Sequence, residues 1–158
     1  MRRPRNNRRE PEVEDDLFDK VVYINRCAKV VKGGRRFSFG ALVVVGDRKG
    51  SVGVGYGKAP GVPSAIEKAQ KDARKKMTRI TPEEGTLPHS VNSTFGASVV
   101  RLVPAAPGTG VIAGATVRAV LELAGVKDCL TKVYGSSNQK NLCKATCEGL
   151  TKLRSKQQ

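Results

Sequence analysis

Along the chain, hydrophobic positions recur first with a period of two and then with a period near four. From Val21 to Val31 the β-branched content, and the alternating set Val22, Ile24, Arg26, Ala28 and Val30, predict a strand that Gly33-Gly34 breaks. A second strand is expected over Phe37 to Val45. Gly46-Asp47-Arg48-Lys49-Gly50 then carries a hairpin signal, and Ser51 to Tyr56 returns as a third strand. The spacing Gly53-Val54-Gly55-Tyr56-Gly57 leaves one face of that strand nearly bare, as expected where another backbone approaches closely. After Pro63-Ser64, which suit a first helical turn, Ile66, Ala69, Ala73, Met77 and Ile80 form one apolar stripe. Lys68, Lys71, Lys75, Lys76 and Arg79 lie off that stripe, so one helix flank is cationic.

Thr81-Pro82-Glu83-Glu84-Gly85 reads as a linker, after which the pattern restarts. Short strands are expected at about 86 to 91 and 97 to 103, followed by the turn-rich run Pro104-Ala105-Ala106-Pro107-Gly108-Thr109-Gly110. A helix over about 114 to 124 buries Val117, Val120, Leu121 and Ala124 and ends at Gly125. It also sets Arg118 four residues before Glu122, a spacing at which the two can pair. Val126 to Tyr134 is a strand candidate, and Asn138 caps a last helix with Leu142, Thr146, Leu150 and Leu153 on one face. The fold class is therefore α+β, a β-β-β-α unit followed by a β-β-α-β-α unit. The boundaries expected are a charged flexible arm at 1–16, a first domain at 17–81, a linker at 82–85, a second domain at 86–153 and a tail at 154–158.

Charge changes the picture from a fold to a partner. The chain has 29 Lys and Arg against 14 Asp and Glu, a net charge of +15. Residues 1 to 16 balance five Arg against five acids, whereas 17 to 84 carry fifteen basic and six acidic residues and 85 to 158 carry nine and three. The excess thus sits in both folded parts, and a folded polyanion-binding surface is expected. Neutralising phosphates releases counterions, so log affinity should fall with log salt by about 0.7 to 0.9 per phosphate contacted. No apolar run approaches the roughly 20 residues needed to cross a bilayer, so no membrane partner is expected. Met1 to Glu10 is Arg-rich and polar without the apolar core of a secretory signal, which makes the cytoplasm the expected compartment. Trp is absent and aromatic residues make up 4%, which argues for recognition of shape and phosphate over stacking platforms.

Candidate chemistry is sparse. Gly108-Thr109-Gly110-Val111-Ile112-Ala113-Gly114 precedes a helix, a natural anion site, but its spacing fits neither the dinucleotide fingerprint nor the P-loop. Tight turning and interface packing account for it better. Cys27, Cys129, Cys143 and Cys147 read as reduced thiols, because no export signal or disulfide-dense frame requires bridges. Cys143 and Cys147, with His89 as the single histidine, fall short of four zinc ligands at suitable spacings. No nucleophile signature and no paired acids stand in a recognisable frame, so neither catalysis, a cofactor nor a metal is expected.

Three blocks resemble the bacterial type of the small-subunit ribosomal protein S five family. The first is Asn25-Arg26 through Lys29-Val30-Val31-Lys32-Gly33-Gly34-Arg35 with Phe37-Ser38-Phe39. The second is Val44-Val45-Gly46-Asp47 through Val52-Gly53 and Gly55-Tyr56-Gly57-Lys58. The third is Gly108-Thr109-Gly110 through Ile112-Ala113-Gly114, Arg118-Ala119-Val120-Leu121-Glu122 and Ala124-Gly125-Val126, extended by Tyr134-Gly135-Ser136 with Asn138. The likeness covers about residues 17 to 153 and departs at Cys27-Ala28 and in the first ten residues.

The resemblance implies a first domain similar to a double-stranded-RNA-binding domain and a second, two-layer domain with a left-handed crossover. It further implies a place on small-subunit rRNA near the decoding region, contact with ribosomal proteins four and eight, support of subunit assembly, and an influence on decoding accuracy. No homo-oligomer is implied. By position, the loop Cys27 to Arg36 corresponds to the family's rRNA-contacting loop beside the spectinomycin site, and Gly110 and Arg118 to its interface with protein four. The rRNA-binding residues expected are Arg26, Lys29, Lys32, Gly33, Gly34, Arg35, Arg36, Lys58, Lys68, Lys71 and Lys75.

Physical reasons stand beside that correspondence. Gly33 and Gly34 permit positive φ and close backbone approach, and Lys29, Lys32, Arg35 and Arg36 bring cations to one tip. A plain charged hairpin is the bland alternative. Lys71 and Lys75 repel at i,i+4, a small cost that a bound phosphate would remove, against the default of a solvated helix flank. Arg118 either pairs with Glu122 or reaches a neighbouring protein. The competing function is a free regulator that binds double-stranded RNA outside the ribosome, and a small kinase-like enzyme is a more distant rival.

Overall fold

The computed structural model describes residues 17–80 and 85–153. The charged arm at 1–16, most of the linker and the tail at 154–158 lie outside the described residues. Eleven elements follow one another: β1 (Phe18–Val31), β2 (Gly34–Gly46), β3 (Ser51–Ala59), α1 (Val62–Lys75), β4 (Thr78–Arg79), β5 (Val91–Phe95), β6 (Ser98–Pro104), β7 (Val111–Ile112), α2 (Ala115–Ala124), β8 (Cys129–Gly135) and α3 (Gln139–Thr151). They build an α+β fold with two four-stranded sheets, ordered β1-β2-β3-β4 and β5-β6-β8-β7. In the second sheet β7 runs parallel to β8, with α2 as the connection between them.

The apolar run Leu42-Val43-Val44-Val45 is continuous because β2 is covered on both faces. Ala41, Val43 and Val45 pack on Ala65, Ala69 and Ala73 of α1, whereas Leu42 and Val44, with Val52 and Ile80, enter a larger core. That core also holds Val117, Val120 and Leu121 of α2, Leu142 and Leu150 of α3, and Val100 and Leu102 of β6. One hydrophobic cluster therefore joins both halves of the chain. α2 is buried at seven of its ten positions because it lies in that shared core and touches α3, β1 and β2.

The bare face of β3 does what its glycines suggested. A Cβ at Gly53, Gly55 or Gly57 would fall on the carbonyl oxygen of Ala73, Ala69 or Ala65 respectively, so only hydrogen allows α1 to lie this close. Next to this contact, the β2–β3 turn docks on the end of α2. Asp47 accepts the amides of Lys49 and Ser51, each at 2.8 Å, and the Arg48 amide donates to the Leu123 carbonyl at 3.0 Å. The Arg48 guanidinium stands 4.0 Å from the centroid of the Phe18 ring, which closes β1 over the same corner.

Several expectations are corrected. α1 ends at Lys75, so Met77 and Ile80 are not on its stripe; Thr78 and Arg79 instead pair with Val52 and Ser51 as a fourth strand. The strand expected at 86 to 91 begins only at Val91, and Thr86 spends its hydroxyl on the Asp128 carbonyl at 2.8 Å. β8 starts at Cys129, not Val126, and the glycine-rich run before α2 contains β7. The two-residue strands were missed because they have no period of their own; their partners' ladders create them. Asn138 does cap α3, accepting the Lys140 amide at 3.1 Å.

Candidate nucleic-acid interface

β1 and β2 are longer than the sheet they belong to. Their pairing runs from Phe18↔Gly46 to Val31↔Gly34, but β3 pairs with β2 only as far as Phe39↔Ala59. Beyond that pair the strands continue as a free two-stranded ribbon, closed by Lys32 and Gly33, with Gly33 at φ +98° and Gly34 at φ +155°. Neither glycine has a heavy atom within 4 Å of the place a Cβ would take, so backbone conformation, and not space, calls for glycine here.

Register sorts the ribbon's side chains. Arg26, Val30, Arg35 and Phe37 share one face, the face that carries α1 further down, and the Arg26 guanidinium stands 4.7 Å from the Phe37 ring centroid. Lys29 and Arg36 are direct partners on the other face. Like charges placed opposite each other weaken a ladder, and an anion bound between them would reverse the sign. No acid interrupts the chain between Asp19 and Asp47, and all five ribbon cations, Arg26, Lys29, Lys32, Arg35 and Arg36, are exposed. Apolar residues join them in solvent, with Val30 76% and Phe37 48% exposed. The arrangement is a backbone finger that offers cations on both faces, with exposed apolar side chains among them on one face.

The remaining expected RNA contacts are not all on that finger. Lys58 lies at its base, opposite Gly40, on the face away from α1. Lys68, Lys71 and Lys75 are exposed along α1, with the Lys68 stem against Gly57. α1 begins at the ribbon end of the sheet and runs away from it, so its last lysine stands roughly 20 Å along the helix axis from its start. The structure thus gathers five of the basic residues on one projection, puts Lys58 beneath them and leaves a separate lysine stripe on the helix.

Gly110 and Arg118 belong to the other half. Gly110, at φ +77°, donates its amide to Asp128 Oδ1 at 2.8 Å and shapes the turn into β7. Arg118 is exposed on α2 one turn from its start, and the pairing with Glu122 is not formed: Glu122 is held by Lys20 of β1 at 3.1 Å. Arg118 has no ion-pair partner among the described residues. Sequence spacing could not foresee this, since Lys20 is 102 residues away in the chain.

Two further observations bear on chemistry. Cys129 and Cys143 are buried, and burial pushes their thiols up to about 11 and about 12, which keeps them protonated and inert. All four cysteines are free, and no group of three or more metal-ligating side chains occurs among the described residues. The signal that sequence reading passed over is a second set of cations, Lys140 and Lys144, four residues apart on α3 after the Asn138 cap. Their helical spacing was visible, but the groove they flank was not.

Comparison with known proteins places these features in a family. Residues 17–81 match the N-terminal domain of ribosomal protein S5, and residues 93–158 match its C-terminal domain. The chain is 52% identical over 158 residues to small ribosomal subunit protein uS5 of Rhodopirellula baltica, covering 99% of this chain and 89% of that one. Against the uS5 protein of Thermus thermophilus it is 57% identical over 143 residues, 90% and 88% of the two chains, and against that of Lawsonia intracellularis 59% over 141 residues, 89% and 86%. With both halves matched in order, and with the ribbon, the glycine-faced strand and the α2 turn all inside the matched spans, the chain belongs to the ribosomal protein S5 family.

Proposed function

We propose that this chain is a structural constituent of the small ribosomal subunit that binds rRNA near the decoding region and acts in translation without performing a reaction. The observation that carries this reading is the ribbon, where five exposed cations and no acid extend past the sheet that supports them. A free charged hairpin with Lys29 opposite Arg36 is worse off alone than against a polyanion. Lys58 at the base on one face, and Lys68, Lys71 and Lys75 on α1 at the other, add phosphate contacts on two sides, which suits a chain set among folded RNA helices. Family membership supports the small subunit, in the cytoplasm, as the place and excludes an enzymatic role. Within this proposal the chain divides near residues 81 to 85, the ribbon-bearing half docks on RNA, and the half carrying Gly110 and Arg118 meets ribosomal proteins four and eight. Arg118 supports that assignment by being exposed without an ion-pair partner among the described residues.

Sucrose-gradient fractionation tests the proposal. The chain should co-sediment with small subunits and stay through a moderate salt wash. Absence from that peak, together with tight binding to generic duplexes, would instead identify a regulator acting outside the ribosome.

A further inference from the structure

A groove runs between the first sheet and α3, from the face away from α1 past β3 to the last turn of α1, and the proposal above leaves it unused. Three hollows form it, each sharing lining residues with the next. The first is lined by Tyr23, Asn25, Tyr56 and Lys140, the second by Tyr56, Asp72, Lys76, Lys140 and Lys144, and the third by Val52, Lys76, Lys144 and Glu148. Tyr23 and Tyr56 pair with the two sides of Leu42, so their rings flank one position on neighbouring strands, about 10 Å apart at the backbone. Tyr56 leans over Gly40, where a Cβ would meet its hydroxyl. Tyr23 and Tyr56 are 42% and 36% exposed, so both are open to a ligand; Tyr134, outside the groove, is exposed as well, and it is the placing of two tyrosines beside Lys140 that marks this cleft.

Charge along the groove is asymmetric. Lys140 Nζ stands 4.5 Å from the Tyr56 ring centroid and Lys144 Nζ 4.7 Å from that of Phe95, and neither has a carboxylate partner among the described residues. Lys76 is neutralised by Asp72 at 2.7 Å, and Glu148 makes the far end less favourable to an anion. The electropositive, aromatic end is therefore the one that opens at Asn25, on the ribbon face that carries Lys29 and Arg36. Flat rings beside ammonium groups fit a strand with exposed bases and a charged backbone. A duplex hides its base faces, and an acidic peptide has no use for paired rings.

We propose that this groove holds an unpaired stretch of RNA, with bases against Tyr56 and Tyr23 and phosphates along Lys140 and Lys144. The inference rests on the reading that the chain binds RNA and adds a site distinct from the ribbon. The scarcity of aromatics in the composition argued against stacking, but the fold concentrates two of the three tyrosines in one cleft.

The whole chain, purified free of RNA, is titrated with a short oligoadenylate and with a blunt-ended RNA duplex. Because Trp is absent, tyrosine emission reports the groove, with Tyr134 on the second sheet as the third fluorophore. Oligoadenylate should quench that emission. Tyr56→Ala, and separately the exposed pair Lys140→Gln with Lys144→Gln, should weaken oligoadenylate binding roughly tenfold while duplex binding changes by less than about twofold. Tyr56→Phe should keep the affinity. Oligoadenylate binding without quenching would overturn the proposal, as would equal losses for both RNAs or displacement of the oligoadenylate by polyglutamate at equal charge. If duplex binding and co-sedimentation with small subunits persist through any of those results, the ribosomal reading stands and the groove alone has failed.

Discussion

At Gly55 a single hydrogen decides how the first sheet meets its helix. A Cβ there would fall on the Ala69 carbonyl and crowd the Ala73 backbone, none of which can swing away like a side-chain end. Gly55→Ala should therefore cost about 1 to 3 kcal/mol, the range for overpacking a tight contact, read as a lowered urea midpoint with the slope unchanged. A second residue-scale effect concerns pH. Burial alone would raise the Asp47 carboxyl, but the amides of Ser51 and Lys49 outweigh it and hold the group below its ordinary 3.8; Asp72 is also lowered, chiefly by its hydrogen bond from Lys76. A depressed folded-state value means that unfolding takes up protons. The contribution is complete above 3.8 and is lost as pH falls through the lower folded value. Acid titration of stability should thus show a decline below that point, shallower in Asp47→Asn, and an equal decline in both proteins would contradict this account.

The ribbon and α2 are the elements to which the proposed function assigns its contacts. Gly34→Asp puts an L side chain at φ +155° and a negative charge among five cations, yet meets no atom within 4 Å. Stability should change little beyond the local strain, while incorporation into small subunits weakens and the response to spectinomycin alters. Cys27, half-buried on the ribbon, provides a footprint. It should alkylate at least about tenfold faster than the buried Cys129 and Cys143, and small-subunit rRNA should protect it. For α2, Arg118→Ala should change misreading in a translation assay and leave rRNA affinity near normal, because the guanidinium has no ion-pair partner among the described residues to lose. Equal loss of both would put Arg118 on RNA.

For the whole molecule, the shared core is the dominant fact. Leu42, Val44 and Val52 of the first sheet lie in one cluster with Leu121, Leu142 and Leu102 of the second half. Neither half buries its apolar surface alone, so thermal and urea unfolding should be one transition, with circular dichroism and tyrosine emission coincident. Two separated transitions would show that the halves are independent. The exposed Lys20 to Glu122 pair also joins the halves, but a surface ion pair contributes at most about 1 kcal/mol, so the apolar contact governs.

Periodicity and glycine placement, both local properties, were enough to determine the three long strands, the three helices, the Asn138 cap and the close approach along Gly53, Gly55 and Gly57. The blocks around the Gly33-Gly34 turn and the Gly108 to Gly114 run were enough for the family, and the sign and spread of charge for the proposal of a polyanionic partner. Only the tertiary structure decided that α1 stops at Lys75, that Thr78-Arg79 and Val111-Ile112 become strands, and that Glu122 answers Lys20 instead of Arg118. The same holds for the separation of the α1 lysines from the ribbon and for the meeting of Tyr23, Tyr56 and Lys140 in one groove. Each of these depends on which distant segment lies alongside, and contacts between residues far apart in the chain leave no period in the sequence for a local pattern to reveal.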